Sequence, residues 1–355
     1  MKAIASLLIK QYRGIRNLRL ENLNKVNIFA GPNNCGKTSV LEAVSLAVPV
    51  ADKNQRQSLI DTLVSRYHRI NLEMLKYIFP MTKEPQIELY WKINNLADEI
   101  KTSVQYEESM MMNEYGKSSI SELNLYFDYS YVNSPEIKET VQLSFVQKDD
   151  KYSLKNHVEP NPVIDKNINL PYNYISLSRF DAVDRYIDNL DELLEHNLRN
   201  DLIEALKIFD DSITNFEVVG ENRTIKIFSS KYDKALNLYD YGNGMYKAFF
   251  IIVAALKSRN GILLIDEIEA GIHAGALSKF MFKLLEVCRV NNVQLFMTTH
   301  SLEAIDTILY DCRDRNYLEE IAVYHIKNDA IKTIAKHYTG SRLIRLRDSV
   351  GFDVR

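Results

Sequence analysis

The sequence has few cysteines, lacks a long apolar run and carries almost no excess of charge of one sign. Its 3 cysteines, Cys35, Cys288 and Cys312, are widely spaced, which excludes a disulfide framework and a zinc site and favours a reducing cytoplasm. The best apolar run, residues 248–256, is half of the ~20 residues that span a bilayer, so no membrane segment is expected. The formal net charge of -3 gives no overall attraction to nucleic acid, and any such contact would need a local patch.

The 355 residues suffice for two domains, or for one large domain that carries an insertion. Apolar strand-like runs and helical spacing alternate at both ends of the chain, which predicts parallel strands in one α/β core. Between them, residues 52–79 have helical spacing, and the segments that follow alternate apolar and polar residues and are rich in Tyr and Phe. We therefore predict a discontinuous α/β domain, residues 1–50 and 172–355, interrupted by a helical and antiparallel β-rich insertion at residues 51–171. Within the insertion, residues 109–119 are expected to form a mobile loop.

The segment GPNNCGKT fits the P-loop pattern G-x-x-x-x-G-K-[ST] and lies between a buried strand and a helix. Gly31 and Gly36 let the backbone fold around phosphate oxygens, so that N–H groups and the helix N-terminus face the anion. Lys37 is placed to neutralise the β- and γ-phosphates, and the Thr38 hydroxyl is placed to bind Mg²⁺. The predicted nucleotide-binding residues are Gly31, Pro32, Asn33, Asn34, Cys35, Gly36, Lys37, Thr38 and Ser39.

Two further segments end apolar strands in groups that suit phosphate chemistry. In ILLIDEIE, Asp266 can hold Mg²⁺ through water and Glu267 can polarise the attacking water. In LFMTTHS, the imidazole of His300 can form a hydrogen bond with the γ-phosphate. Two surface acids and a structural histidine are the alternatives, and the order and spacing relative to the P-loop favour catalytic roles for Glu267 and His300.

The order of these motifs resembles the ABC-type ATPase heads of the RecF/SMC/OLD group. The segments that carry the resemblance are YRGIRNLRLENLNKVNIFAGPNNCGKTSVLEAV, GNGMYK, LLIDEIEAGIH and TTHS, within residues 1–50 and 172–355. Within the group, the chain is most similar to the bacterial "AAA family ATPase" proteins of anti-phage defence systems of the PARIS, Septu or abortive-infection type. The resemblance implies a P-loop NTPase fold, with a mixed or parallel core sheet, and hydrolysis of ATP with Mg²⁺.

In heads of this group the nucleotide lies between two subunits, and the resemblance implies several more contacts. Gly242, Asn243 and Gly244 take the position of the signature motif that faces the partner's P-loop, although a plain turn and helix cap is an alternative. The serine of the usual LSGGQ is absent, which puts the hydrolysis rate in doubt and predicts slow turnover. His273 falls where the D-loop lies and is expected to contact the opposite subunit.

Two positions outside these motifs complete the predicted site. Arg13 matches a basic position that reaches the phosphates in RecF-like heads, with a surface arginine in a turn as the alternative. Gln86 is the candidate for the glutamine that contacts the metal. The predicted metal ligands are Thr38, Asp266 and Gln86.

The implied function is an ATPase that forms a homodimer or higher oligomer on ATP and controls a separately encoded effector. A nuclease-like or Toprim-like product of an adjacent gene is the expected effector, because the stretch after His300 leaves no room for a Toprim domain. One alternative is a RecF-like DNA-maintenance ATPase that clamps nucleic acid, and another is a nucleotide-gated scaffold with little turnover. A transporter subunit is disfavoured, because LSGGQ is absent and the insertion is large.

Overall fold

The computed structural model describes a large part of the chain in two compact units. The first comprises Met1–Leu23, Asn33–Leu170 and Ile326–His337, and the second comprises Asn24–Pro32, Pro171–His325 and Tyr338–Arg355. The residues described are 4–48, 75–82, 85–94, 98–112, 118–135, 138–148, 151–158, 170–176, 190, 198–220, 223–313, 317–329 and 332–354. Most of the helical segment predicted at residues 52–79 lies outside these ranges.

The first unit is built on a seven-stranded antiparallel sheet of order β2-β1-β4-β5-β6-β7-β8. Its strands are β1 (Ile4–Tyr12), β2 (Ile15–Leu20), β4 (Ile87–Ile93), β5 (Ile100–Met112), β6 (Ser118–Tyr131), β7 (Lys138–Lys148) and β8 (Lys151–Val158). The strand between β2 and β4 in sequence, β3, belongs to the six-stranded sheet. Helix α1 (Lys37–Ala47) packs against β1, β4 and β5. Alternation explains this packing, since Ile87, Leu89 and Trp91 are all fully buried while their neighbours are more exposed. The predicted antiparallel β-rich segment is thereby confirmed.

The second unit contains most of a six-stranded sheet of order β16-β15-β3-β14-β13-β9. Its strands are β3 (Val26–Ala30), β9 (Tyr172–Ser176), β13 (Ile262–Asp266), β14 (Gln294–Thr299), β15 (Ile321–Asn328) and β16 (Thr333–Thr339). Neighbouring strands from β15 to β9 are parallel. Every residue of β3, β13 and β14 is buried, as expected for continuous apolar runs in the middle of a parallel sheet. The predicted α/β core with parallel strands is confirmed.

The remaining elements of the second unit are helices and a small sheet. The helices are α2 (Arg199–Lys207), α3 (Asn243–Lys257), α4 (Ala274–Val290), α5 (Leu302–Arg313) and α6 (Gly340–Val350). The small antiparallel sheet comprises β10 (Ile213–Val219), β11 (Thr224–Ser229) and β12 (Leu236–Asn237). Helix α3 packs against α2, α4 and β9, and its residues from Ala248 to Leu256 are all buried. Among the described residues, no helix has both the length and the apolar character required to cross a bilayer.

Two sequence predictions differ from the structure or remain open. Residues 109–119 were expected to form a mobile loop, yet β5 continues to Met112 and β6 begins at Ser118. That prediction is wrong for residues 109–112 and 118–119, because Met110, Met111 and Met112 pair with Ile120, Ser119 and Ser118, and strand pairing satisfies the backbone whatever the side chains. Residues 113–117 lie outside the described residues. The division at residues 51 and 171 stays a prediction. The two compact units divide the chain at other residues, because β1 pairs with β4 and so joins the first residues to the antiparallel sheet.

Gly261, directly before β13, lies against the backbone of Pro171 with no room for a side chain. The N–H of the next residue, Ile262, donates to the carbonyl of Pro171 at 2.8 Å, and a Cβ on Gly261 would lie 1.9 Å from that same carbonyl oxygen. Because this neighbour is backbone, relief requires β9 and β13 to move apart. The position therefore requires glycine.

We predict that Gly261→Ala lowers the free energy of unfolding by about 1–3 kcal/mol or more, as overpacking against fixed backbone does. The control is Gly14→Ala, because a Cβ there meets nothing within 4 Å, and its effect should stay within about 0.5 kcal/mol. Urea unfolding of both variants measures the difference. Equal midpoints for the two variants would contradict the packing described.

Candidate functional site

The ends of three parallel strands bring the sequence motifs to one edge of the sheet. Strand β14 lies between β3 and β13, with Ala30 opposite Thr299 and Ile265 opposite Met297. Gly31, Asp266 and His300 therefore lie at or just beyond the carboxyl ends of neighbouring strands. In open α/β sheets this edge is where ligands bind.

The P-loop has the local backbone geometry that phosphate binding requires. Gly36, with φ of 100°, precedes α1, and Asn34 also has a left-handed φ, of 61°. Lys37 and Thr38 form the first turn of α1, which contains no acidic side chain to compete with an anion at the helix N-terminus. Cys35 and Ser39 are buried, whereas Pro32, Asn33 and Asn34 are exposed.

The Cys35 thiol sits inside the loop rather than on its surface. Burial raises its pKa, and the positive charge of Lys37 acts in the opposite direction. A raised pKa keeps the thiol protonated and unreactive. Cys35 therefore contributes packing to the loop.

The Thr298 hydroxyl holds the two acidic residues at the end of β13. It donates to Asp266 Oδ1 at 2.6 Å and accepts from the backbone N–H of Glu267 at 2.8 Å. Glu267 has a φ of 56°, a conformation that is rare for a residue with a side chain other than Asn or Asp and that persists only where the surrounding structure holds it. The hydroxyl thus fixes the buried carboxylate of Asp266 and the sharp turn that follows it.

His300, just after β14, contacts Glu269, the third acidic residue of the segment that begins with Asp266. Glu269 Oε1 accepts from the backbone N–H of His300 at 2.9 Å and lies 2.9 Å from Nδ1 of its ring. The carboxylate side chain is 14% exposed and the imidazole is 53% exposed. The ring is therefore anchored on one side and open to solvent on the other.

The predicted signature residues begin α3 and pack on the segment after Glu267. Gly242 has a φ of 99°, and Gly242 and Asn243 are exposed at the helix N-terminus, whose first turn contains no acidic side chain. A Cβ on Gly244 would lie 3.4 Å from the carbonyl oxygen of Gly271, so this glycine also serves packing within the subunit. His273 caps α4, because its Nδ1 accepts from the N–H of Gly275 at 3.2 Å.

A buried lysine joins α3 to the same segment. Lys247 Nζ donates to the carbonyl of Ala270 at 3.1 Å, and the residue is 7% exposed. Burial lowers the pKa of Lys247, and the negative charge of Glu267 acts in the opposite direction. Gly271 has a φ of 81°, and a Cβ there would lie 2.6 Å from the ammonium group. The left-handed backbone at Gly271 therefore favours glycine, and a side chain there would displace the end of Lys247.

Arg13 and Gln86 lie in the first unit. Arg13 occupies the turn between β1 and β2 with a φ of 48°, and its Nε lies 3.0 Å from Oε2 of Glu42 on α1. The Tyr12 hydroxyl donates to the same oxygen at 2.9 Å. Gln86 directly precedes β4. Arg13 thus braces the helix that the P-loop opens, while its phosphate contact and the metal contact of Gln86 stay predictions.

Three residues at the site were missed by the sequence reasoning, namely Thr298, Glu269 and Lys247. Thr298 is a polar residue that follows the apolar run Leu295–Met297 in a buried strand, which is a signal that was available, because buried polar groups are hydrogen-bonded. Lys247 carries the same signal within the apolar helix α3. Glu269 had no distinguishing local signal, since its partner His300 is remote in sequence.

The residues predicted to bind metal present oxygen donors. Asp266 supplies a buried carboxylate at a strand end, and Thr38 supplies a hydroxyl in the first turn of α1. Carboxylate and hydroxyl oxygens are the donors that Mg²⁺ takes in nucleotide sites. The donor chemistry therefore fits Mg²⁺.

A P-loop that follows β3 and opens a helix, with Asp266 at the end of β13 and His300 directly after β14, is the arrangement of a P-loop ATPase. Residues 1–305 match the family model of the AAA ATPase domain, AAA_15, and the chain belongs to that family. The family match supports ATP binding and ATPase activity.

The chain is similar in sequence to proteins of two organisms. The chain is 23% identical over 370 residues to an ATP/GTP phosphatase of Helicobacter pylori, with 96% of each covered. It is 32% identical over 114 residues to the uncharacterized protein MJECL11 of Methanocaldococcus jannaschii, covering 32% of this chain and 98% of that protein.

The fold is that of SMC heads. The structure of an SMC head bound to the C-winged helix domain of ScpA has a TM-score of 0.53 and 9% identity, covering 96% of this chain and 99% of that one. The Smc head of Pyrococcus furiosus with an extended coiled coil has a TM-score of 0.51 and 10% identity, covering 99% and 100%. The predicted fold class, an ABC-type α/β ATPase head, is confirmed.

We predict that Thr298→Val lowers ATP turnover at least about tenfold, because Asp266 and the turn at Glu267 lose their shared hydroxyl. Loss of a side chain that orients a metal ligand has an effect of about this size. The matched control is Thr299→Val, which removes an equally buried hydroxyl that accepts from the N–H of Ser301 instead. Both variants should lose about 1–3 kcal/mol of stability. Steady-state phosphate release distinguishes them, and equal turnover would remove the role assigned to Thr298.

Proposed function

We propose that this chain binds ATP with Mg²⁺ at residues 31–39 and hydrolyses it, with Glu267 polarising the attacking water. The observation that carries the proposal is the convergence of Gly31, Asp266 and His300 at one edge of the parallel sheet. Hydrolysis needs phosphate binding, charge neutralisation and an oriented water, and these residue types supply them.

Each residue has a defined part in the proposed reaction. The N–H groups around Gly36 and the N-terminus of α1 bind phosphate oxygens, and the Lys37 ammonium neutralises the β- and γ-phosphates. Mg²⁺, when bound, supplies charge neutralisation between these phosphates, and Thr38, Asp266 and Gln86 are the residues proposed to hold it. Glu267 orients water for in-line attack, and His300 contacts the γ-phosphate.

We predict that Lys37→Ala abolishes ATP binding, because the main counter-charge of the phosphates is lost. Glu267→Gln should bind ATP as the wild type does and lose hydrolysis, because only the activation of water is removed. Binding of a fluorescent ATP analogue and phosphate release measure the two effects. Wild-type turnover in Glu267→Gln would refute the catalytic assignment.

We propose further that ATP brings two or more chains together. The exposed Gly242 and Asn243 begin a helix whose N-terminus is suited to phosphate, and a partner subunit would present them, together with Gly244 and His273, to the nucleotide. The absent signature serine supports slow turnover. A bulky residue at 244 would disturb packing within the subunit, so Asn243 is the better position to test.

We predict that ATP drives Glu267→Gln into dimers or larger assemblies, because both nucleotides are trapped unhydrolysed. Adding Asn243→Trp should block assembly and leave ATP binding by the separate chains intact. Ser349→Trp, at an exposed position near the end of α6, is the matched control and should assemble normally. Light scattering with and without ATP gives the result, and a persistent monomer in Glu267→Gln would refute assembly.

The biological role proposed is control of a separately encoded effector, in anti-phage defence. The site residues that the structure describes supply groups for phosphate release and none that would modify another molecule, and the SMC head of similar fold is bound to a winged-helix domain of a partner protein. The likeness to SMC heads supports the RecF-like DNA clamp equally well as an alternative. The signature without serine keeps a nucleotide-gated scaffold as the third candidate.

The adjacent gene and DNA binding separate these roles. A nuclease-like or Toprim-like product that co-purifies with the chain favours effector control. ATP-dependent retention of DNA by Glu267→Gln, without such a product, favours the clamp. Assembly on ATP without measurable phosphate release favours the scaffold.

A further inference from the structure

One carboxylate oxygen holds His300 at two points. Glu269 Oε1 accepts the backbone N–H of His300 and lies within hydrogen-bond distance of ring Nδ1, both at 2.9 Å. The first contact is a hydrogen bond that holds the backbone, and the second places Nδ1 of the ring beside the carboxylate oxygen. The Glu269 side chain is mostly buried, so the anchor itself has little freedom to move.

The chemistry of the contact determines which ring nitrogen faces outward. An ionised carboxylate only accepts hydrogen bonds, and a neutral imidazole has one N–H. Because Nδ1 faces the carboxylate, neutral His300 must carry its proton on Nδ1. Nε2 is then the nitrogen that can meet a nucleotide or water.

We propose that Glu269 is a positioning residue that sets the ring orientation and the tautomer of His300. It thereby aims Nε2 at the terminal phosphate and the attacking water. The inference rests on the proposed function, because it assigns a means of control to the same site. The anchor comes from the segment that also contains Asp266 and Glu267, so the end of β13 and the turn after it place Asp266, Glu267 and His300.

The proposed role has kinetic consequences that a purely structural role lacks. Most ATP binding is assigned to the P-loop, so loss of the anchor should lower kcat and leave KM nearly unchanged. Glu269 acts through His300, so the two substitutions should not add. A residue that only stabilised the turn would lower stability and act independently of His300.

The first experiment reads the tautomer without any catalysis. Nitrogen NMR on the full chain labelled with ¹⁵N-histidine, at a pH where the ring is neutral, distinguishes Nδ1–H from Nε2–H, and His300→Gln identifies the signal among the 7 histidines. We expect Nδ1–H in the wild type and in Glu269→Gln, whose amide oxygen still accepts. Glu269→Ala should shift the ring toward Nε2–H. An Nε2–H ring in the wild type would overturn the proposal, and so would an unchanged ring in Glu269→Ala.

The second experiment measures the coupling. Glu269→Ala should lower kcat about 10- to 100-fold, which is the size of effect seen when a side chain that orients a functional histidine is lost. The KM for ATP should stay within about twofold. The same change in a His300→Ala background should have no further effect. The control is Glu286→Ala, because the Glu286 side chain on α4 is half-exposed, and this change should leave kcat unchanged. Additive losses from Glu269 and His300 would overturn the proposal.

The two experiments keep this inference separate from the proposed function. If no form of the chain hydrolyses ATP, the proposed function fails, and the NMR result still decides whether Glu269 sets the tautomer. If the wild type hydrolyses ATP and the losses are additive, the ATPase assignment stands and the positioning role fails.

Discussion

The parallel alignment of β3, β14 and β13 is the constraint on which the site depends. Each strand is fully buried, so most of its residues are apolar for reasons of packing, and the polar residues that serve the site, Asp266 and Thr298, lie at or next to the strand ends. Chemistry is therefore confined to residues at and beyond the strand ends. Because the strands are parallel and adjacent, those ends share one edge, and segments separated by more than 200 residues in sequence, as Gly31 and Asp266 are, meet there.

Hydrogen bonds to the side chains of Thr298 and Glu269 then hold the residues at this shared edge in place. Thr298 joins the Asp266 carboxylate to the Glu267 backbone, and Glu269 joins the segment after β13 to the residue after β14. A buried polar group left without a partner costs about 1–3 kcal/mol, so each bond opposes local rearrangement. The left-handed backbone at Glu267 is tolerable because these contacts surround it.

How much of this was predictable depends on how local each signal is. The P-loop, the Asp266 strand and the His300 strand carry their signals within a few residues, and the α/β fold followed from them. The pairing of β1 with β4 was not foreseen, because partner choice between antiparallel strands depends on contacts remote in sequence. The loop predicted at residues 109–119 is wrong at residues 109–112 and 118–119 for the same reason, since a polar and Met-rich composition says nothing about backbone pairing. Arg13 shows a third limit, because its carboxylate partner Glu42 lies on α1 and is visible only in three dimensions.

Lys247 shows how the turn after β13 is held from its other side. A buried ammonium is unfavourable unless its donors are engaged, and burial accordingly lowers its pKa. The Ala270 carbonyl accepts from it, and the charge of Glu267 favours its charged form. Replacing the lysine by an apolar residue would leave that buried contact without its donor, and adding a side chain at Gly271 would occupy its space. The helix that begins with Gly242 and Asn243 and the turn that contains Glu267 are therefore coupled by one buried group, so displacement of either strains the other.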